Sequence, residues 1–206
     1  GKITMADGAS VMSNDYNVRF EAGTDIALGS LDAGTANVSI DAGGNVTDNG
    51  DSEVEVTADA LRIVAGGNIG EPEGTNNGLL ELSVNTFAAQ ATGASGIYVA
   101  NNKALTVAGI GTVEATRVNS AGGTDKVSDP EGLSNLVTLT NNGNIVILAS
   151  SGDILVNDGS DADGTGISAS GSGNILLEAQ GNSADIQLNA DVSSGTGNIT
   201  VLTSAL

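Results

Sequence analysis

A short pattern recurs in the first third of the chain, at residues 18–26, 38–46 and 61–69. Each copy places apolar residues at every second position, reaches Ala-Gly, and continues through polar or glycine residues to Ile or Val. The copies begin 20 and 23 residues apart (38 − 18 and 61 − 38). A unit this short cannot bury its own apolar face, so successive units must stack on one another. The repeat therefore predicts a solenoid.

The period of two within each copy is that of a β-strand with one buried face. Gly, Asn, Asp and Ser lie between the copies, where tight corners need positive φ or side-chain hydrogen bonds to the backbone. Stacking such strands in parallel gives a right-handed parallel β-helix of about nine rungs. Because the theme returns at 144–154, 174–186 and 198–201, we expect residues 1–206 to form one solenoid segment.

The stretch 85–133 is less regular than the rest. Within it, the sequence Asp-Pro-Glu-Gly at 129–132 is typical of a loop inserted between rungs, which would bulge from the rod or divide it into two segments. An antiparallel β-sandwich is the alternative fold, since it also has many short strands and frequent turns. A sandwich does not ordinarily repeat one motif in register, so the β-helix is the better prediction.

The composition is consistent with thin layers of aliphatic side chains. Hydrophobic residues make up 39% of the chain but aromatic residues only 2%, so the core must be built from Val, Ile, Leu and Ala. Twenty-five acidic and six basic residues give a formal charge of −19, which repels nucleic acid and anionic lipid surfaces. No apolar run approaches the roughly 18 residues of a membrane helix, so we expect no membrane insertion. Cysteine and histidine are absent, which leaves no thiolate or imidazole ligands for zinc.

The chain contains the strings Ala-Gly-Gly-Asn-Val at 42–46, Ala-Gly-Gly-Asn-Ile-Gly at 65–70 and Gly-Asn-Ile at 173–175. These strings resemble the shaft repeats of filamentous-haemagglutinin-like large bacterial exoproteins. The similarity covers nearly the whole chain through low-complexity motifs. It implies a right-handed β-helical shaft that is exported to the cell surface and serves adhesion or filament building. The shaft repeats of that family carry no catalytic residues, so none is transferred to this chain.

The prediction for function is a non-catalytic structural or adhesive segment of a secreted bacterial surface or filament-forming protein, placed outside the cell or on its surface. Its expected partners are neighbouring repeats or copies of itself stacked end to end, and glycans or proteins of a host or surface. Residues 2–5 and 199–202 continue the strand pattern without an obvious cap. A terminal rung without a cap exposes apolar surface and unpaired backbone, which favours stacking.

The best metal candidate is the turn at 157–164, where Asp158, Asp161 and Asp163 lie among Gly and Ser residues. Carboxylates are oxygen ligands that Ca²⁺ prefers, but the spacing is not that of an EF-hand. The nonapeptide of calcium-bound β-rolls is also missing. We expect a solvated loop and no cofactor, with a weak calcium site at these three aspartates as the alternative. The matching alternative function is a calcium-dependent self-assembling surface-layer component.

A carbohydrate-active β-helix enzyme, either a lyase or a hydrolase, is the other alternative. Its candidate carboxylates are the acidic cluster at 48–53 and the pair Glu71 and Glu73. Glycoside hydrolysis needs two opposed carboxylates in a cleft that holds sugar. A lyase would need clustered bases, whereas the six basic residues are scattered along the sequence. The chain is therefore predicted not to be an enzyme.

Asparagines recur at the entries of the predicted strands. A ladder of ligand-binding amides is one interpretation, but asparagine side chains more often bond to nearby backbone groups. We expect that structural role for the following residues: Asn45, Asn68, Asn144, Asn174 and Asn198.

Overall fold

The computed structural model describes residues 1–50, 53–74 and 78–204. These residues form 21 β-strands and no helix. The strands are β1 (Ile3–Thr4), β2 (Ser10–Met12), β3 (Val18–Ala22), β4 (Ile26–Leu28), β5 (Ser30–Asp32), β6 (Val38–Ala42), β7 (Val46–Asp48), β8 (Val56–Ala65), β9 (Leu80–Ala91), β10 (Gly96–Asn101), β11 (Leu105–Val107), β12 (Glu114–Val118), β13 (Thr124–Ser128), β14 (Leu136–Thr138), β15 (Asn144–Ala149), β16 (Ile154–Val156), β17 (Thr165–Ala169), β18 (Ile175–Ala179), β19 (Ile186–Leu188), β20 (Asp191–Ser194) and β21 (Ile199–Thr203).

The strands wind into a parallel β-helix. The first ladder joins β3, β6, β8, β9, β14, β17 and β20. The second joins β1, β4 and β7 to β10, β15, β18 and β21, with Ile69 bridging β7 and β10. A third face holds β2 and β5 with the first halves of β8 and β9, and the start of β9 pairs with the end of β10. β11 pairs with Thr86 and Phe87 in the second half of β9, and β16 and β19 follow it. Among the described strands only β12 and β13 pair antiparallel, so the β-helix is confirmed and the sandwich is not formed.

The core is a stack of aliphatic side chains that repeats at each level of the rod. Stacking similar β-branched side chains fills a narrow interior equally at every level. On the second ladder the register partners are Ile3, Ile26, Val46, Ile69, Ile97, Ile145, Ile175 and Ile199. The six from Ile26 to Ile175 are at most 2% exposed.

This ladder has eight levels within the described residues, where the sequence predicted about nine. One turn, from Ile97 to Ile145, takes 48 residues (145 − 97), because it contains the hairpin of β12 and β13. The hairpin lies in the stretch 85–133, whose earlier part belongs to the regular strands β9, β10 and β11. The strand pairing fixes the parallel stacking, and the right-handed winding stays a prediction.

The asparagine ladder predicted from the sequence is present. Each side-chain oxygen accepts the backbone N–H of the equivalent residue on the next level, 20 to 30 residues further along the chain. The side-chain oxygen of Asn68 similarly accepts from the next level, through the backbone N–H groups of Ser95 and Gly96 at 3.0 and 3.2 Å. These bonds satisfy corner N–H groups that the strand ladders leave unpaired. The donor and acceptor pairs are Asn45 to Asp25, Asn68 to Asn45, Asn174 to Asn144 and Asn198 to Asn174, at 2.8 to 2.9 Å.

Candidate functional site

Residues 108–135 form an excursion that leaves the rod after β11 and returns at β14. At its base, Ile110 and Leu133 each donate a backbone hydrogen bond to the other's carbonyl oxygen, both at 2.8 Å. Ile110 and Val113 are buried against Ala88, on the outside of β9. The excursion therefore folds back onto the rod and covers part of its outer surface.

Asp129 fastens the far end of the excursion to the rod. Its side chain has no exposed surface. Its Oδ1 accepts hydrogen bonds from Ser39 Oγ at 2.7 Å and Arg19 Nε at 3.1 Å, and its Oδ2 accepts one from the backbone N–H of Val113 at 3.0 Å. Arg62 Nε lies 3.7 Å from Oδ2. A buried carboxylate is thus held between two guanidinium groups.

The charges around Asp129 balance. Arg19 also forms an ion pair with Glu21 at 2.5 Å, so two guanidinium groups and two carboxylates share this patch. Burial alone lowers the pKa of the Arg19 guanidinium, but the hydrogen bonds and charges of Glu21 and Asp129 outweigh it and raise that pKa. The hairpin is therefore attached by a charge-balanced network in which Asp129 and Arg62 are buried, Arg19 is largely buried and Glu21 is exposed.

Sequence reasoning missed this network, although a signal for it exists. Arg19, Ser39 and Arg62 occupy the second position of the three repeat copies, and the structure pairs them in register on adjacent levels. Outward residues at one repeat position form a row along the rod. Two of the six basic residues that are scattered in the sequence thus meet at one carboxylate.

A groove of about 530 Å³ lies between the hairpin and the rod. Residues 17–21 form one wall and residues 115–117 the other, with Ile3 and Val127 completing the lining. Asn17 Nδ2 donates to the backbone oxygen of Glu114 at 2.8 Å and closes one end. The volume is within the roughly 300–1,000 Å³ of small-molecule sites. The lining combines apolar side chains with polar and charged ones, among them exposed Arg117, whose Nη2 lies 3.9 Å from Asp125 Oδ2.

The three aspartates predicted as a calcium site are brought together by the structure. One carboxylate oxygen of each of Asp158, Asp161 and Asp163 lies within 4.8 Å of the others. Gly164 N donates to Asp158 Oδ2 at 3.0 Å, and Thr165 N donates to Asp163 Oδ1 at 2.7 Å. The backbone of the turn therefore orients two of the three carboxylates.

A second acidic pair, Glu55 and Glu81, lies on adjacent levels of the third face. Glu55 is fully buried, and its Oε2 accepts the backbone N–H of Glu81 at 2.6 Å. Burial raises the pKa of Glu55 to about 10, and the neighbouring carboxyl of Glu81 and the charge of Asp48 act in the same direction. This carboxyl group is a neutral acid at neutral pH.

The carboxylates considered for an enzyme are distributed differently. In the cluster 48–53, Asp48 is buried near Glu55, while residues 51 and 52 lie outside the described residues. Glu73 lines a groove of about 370 Å³ together with Tyr98 and Glu178, whereas Glu71 is not in that lining. The two members of the pair Glu71 and Glu73 therefore do not share one groove lining.

Across residues 1–50, 53–74 and 78–204, the structure contains no helix with the length and apolar content needed to cross a membrane. Compared with protein-family models, with curated proteins and with solved structures, the chain gives no match. The resemblance of its repeats to filamentous-haemagglutinin-like exoproteins therefore stays a prediction, and the function is argued from the geometry.

Proposed function

We propose that this chain is a non-catalytic structural and adhesive β-helical segment of a secreted bacterial surface or filament-forming protein. The observation that carries the proposal is the continuous in-register ladder of eight levels, with aliphatic residues inside and with asparagine oxygens joining several of the corners on adjacent levels. Seven spacings of about 4.8 Å give a shaft of about 34 Å. Such a repeat supplies length and stiffness.

The adhesive part of the proposal rests on the excursion. The network around Asp129 holds the hairpin rigidly against the shaft, and the hairpin's outer residues remain exposed. A projecting element on a rigid scaffold is a common site of recognition. The groove beside it, with Phe20 and Arg117 in its lining, supports binding of a glycan or protein group that carries a carboxylate.

End-to-end stacking is the third part of the proposal. Ile199 and Val201 continue the inward rows of the second ladder, yet both are 45% exposed on β21. At the opposite end of the rod, Val11 on β2, which pairs with buried Leu31, is exposed as well. These edges fit a further solenoid level, in the same polypeptide or in another copy. Stacking between copies is heterologous and would propagate into a fibre.

Negative-stain electron microscopy of the purified chain, with and without calcium, tests this proposal. We expect short rods that join into filaments of uniform width. Val201→Asp should stop the joining, because it places a charge on the exposed inward row, whereas Thr200→Asp, which points outward on the same strand, should not. Filaments only with calcium would indicate the surface-layer alternative.

Three results would count against the proposal. Compact globules would contradict the shaft itself, and rods that never join in any condition would remove stacking between copies. Depolymerisation of an acidic polysaccharide by the purified chain would contradict the non-catalytic assignment and favour the carbohydrate-active enzyme.

A further inference from the structure

The acidic turn lies between β16 and β17 and concentrates negative charge in a small volume. Three carboxylate oxygens within 4.8 Å of one another repel each other unless a proton or a cation lies among them. One further oxygen of the turn, Asp158 Oδ1, is a buried atom that accepts no hydrogen bond from the described residues. A buried carboxylate oxygen without a donor is costly, so the turn has a place for a positive ligand.

The amide of Asn135 provides an independent observation. Asn135 is 8% exposed and precedes β14, on the level next to the turn. With one amide orientation, its nitrogen donates a single long bond to Asp161 Oδ2 at 3.3 Å. With the other, the nitrogen donates two shorter bonds, to the carbonyl oxygens of Ser134 at 2.9 Å and Thr165 at 2.8 Å. Two short bonds outweigh one long bond, so the second orientation is favoured.

The favoured orientation turns the buried amide oxygen of Asn135 toward the acidic turn. The amide atom that lies 3.3 Å from Asp161 Oδ2 is then an oxygen, and two oxygens that both lack a hydrogen cannot bond to each other. A hard cation between them would convert this repulsion into coordination, because amide and carboxylate oxygens are its usual ligands. The amide and the three carboxylates therefore point to the same ligand.

We propose that Asp158, Asp161, Asp163 and Asn135 form a calcium site that ties two neighbouring levels of the rod together. Calcium binds oxygens at about 2.4 Å, so an ion among carboxylate oxygens no more than 4.8 Å apart lies within reach of each. Water would complete its usual six to eight ligands. β14 pairs with β17 through Leu136 and Ile167. The ion therefore joins Asn135, just before β14, to the acidic turn just before β17.

This site goes beyond the proposed shaft, which holds together through its ladders without an ion. Isothermal titration calorimetry and thermal unfolding with calcium chloride and with magnesium chloride test it on the full chain. We expect one calcium ion per chain, a rise in melting temperature of several degrees with calcium, and a smaller rise with magnesium. Electron microscopy of rods without calcium tests the shaft separately, so the two proposals can fail independently.

Substitutions distinguish a specific calcium site from a general attraction of cations to an acidic surface. Asp161→Asn and Asp163→Asn should weaken calcium binding at least tenfold, and because both side chains are exposed, neither change threatens the fold. Asn135→Ala should weaken it several-fold, whereas Asp185→Asn, which removes an exposed carboxylate elsewhere, should leave it unchanged.

Several outcomes would overturn the proposal. No binding heat and no thermal shift at millimolar calcium would remove the site. Equal weakening by Asp185→Asn and Asp163→Asn would reduce it to screening of surface charge. An unchanged calcium affinity in a folded Asn135→Ala variant would remove the link between levels, which is the central part of the proposal.

Discussion

Asp129 and Glu55 are both buried carboxyl groups on one rod, and their surroundings are opposite. Asp129 accepts hydrogen bonds from Ser39, Arg19 and the backbone of Val113, and it lies against two guanidinium groups. Glu55 accepts one backbone hydrogen bond and faces other carboxyl groups. Removing a charge from water costs free energy, and the two residues offset that cost in different ways.

The surroundings of each carboxyl group determine what it can do in the fold. The charge of Asp129 is compensated, so it can join a distant segment to the shaft. Glu55 instead lies beside the carboxyl groups of Glu81 and Asp48, and burial raises its pKa, so it avoids the cost by keeping a proton. Replacing the carboxyl group by an amide at these two positions should therefore change stability in opposite directions.

The largest expected effect is that of Asp129→Asn. The change leaves two buried guanidinium groups without their shared counter-charge, which typically costs about 3–5 kcal/mol of unfolding free energy. Urea denaturation measures this loss. Trypsin should also cleave faster after Arg117 and Lys126 in the hairpin, because the excursion is no longer fastened to the rod.

The control for that prediction is Asp125→Asn, which removes an exposed carboxylate from the same hairpin. It should leave both the denaturation midpoint and the cleavage rate nearly unchanged. If the two variants behaved alike, the network around Asp129 would not be what holds the hairpin.

Glu55→Gln should instead stabilise the protein at neutral pH. The glutamine amide can replace the protonated carboxyl, donating to Glu81 and accepting its backbone N–H, without taking up a proton on folding. The gain at pH 7 is expected to be at most about 3 to 4 kcal/mol, because pH 7 is about 2.5 units above the unfolded pKa of 4.5 and each unit costs about 1.4 kcal/mol. Glu131→Gln, an exposed position, is the matched control and should have no comparable effect.

The raised pKa of Glu55 determines whether its contribution to stability grows or falls with pH. In the unfolded chain Glu55 loses its proton near pH 4.5, whereas in the folded protein it keeps the proton to about pH 10. The folded state therefore binds more protons in this range, and the contribution of Glu55 to stability is complete below pH 4.5 and lost as the pH rises toward 10. Urea midpoints across the range from weakly acidic to weakly alkaline pH should show the advantage of Glu55→Gln growing with pH. A constant difference would mean that Glu55 does not hold its proton on folding.

The two carboxyl groups also show which contacts a sequence predicts. The repeat predicts the inward row and the asparagine ladder, because both follow from a fixed position on every level. It also predicts the grouping of Asp158, Asp161 and Asp163, since these residues lie on one turn. In each case the information is local or periodic.

Asp129 could not be found in this way. Its partner Arg19 is 110 residues earlier, and no periodicity says onto which levels an irregular excursion folds back. Asn135 joins the acidic turn for a similar reason, because only the pairing of β14 with β17 brings it there. These contacts cannot be predicted from the sequence because of the length of the inserted loop, not because of its composition.

The smallest effect that still distinguishes the two surroundings is that of Ser39→Ala. Ser39 Oγ donates to Asp129 Oδ1 at 2.7 Å and is buried, so its loss should cost about 1.5–3 kcal/mol, the range for a hydrogen bond to a charged group. Ser168→Ala, which removes an outward serine whose long contact to Ser193 is 3.4 Å, should cost clearly less in the same urea titration. Adding Ser39→Ala to Asp129→Asn should cost less than it does alone, because the charged acceptor is already gone. If the two losses of unfolding free energy added fully, the Ser39 hydroxyl would stabilise the rod independently of Asp129. The network around Asp129 would then consist only of its two ion pairs with Arg19 and Arg62.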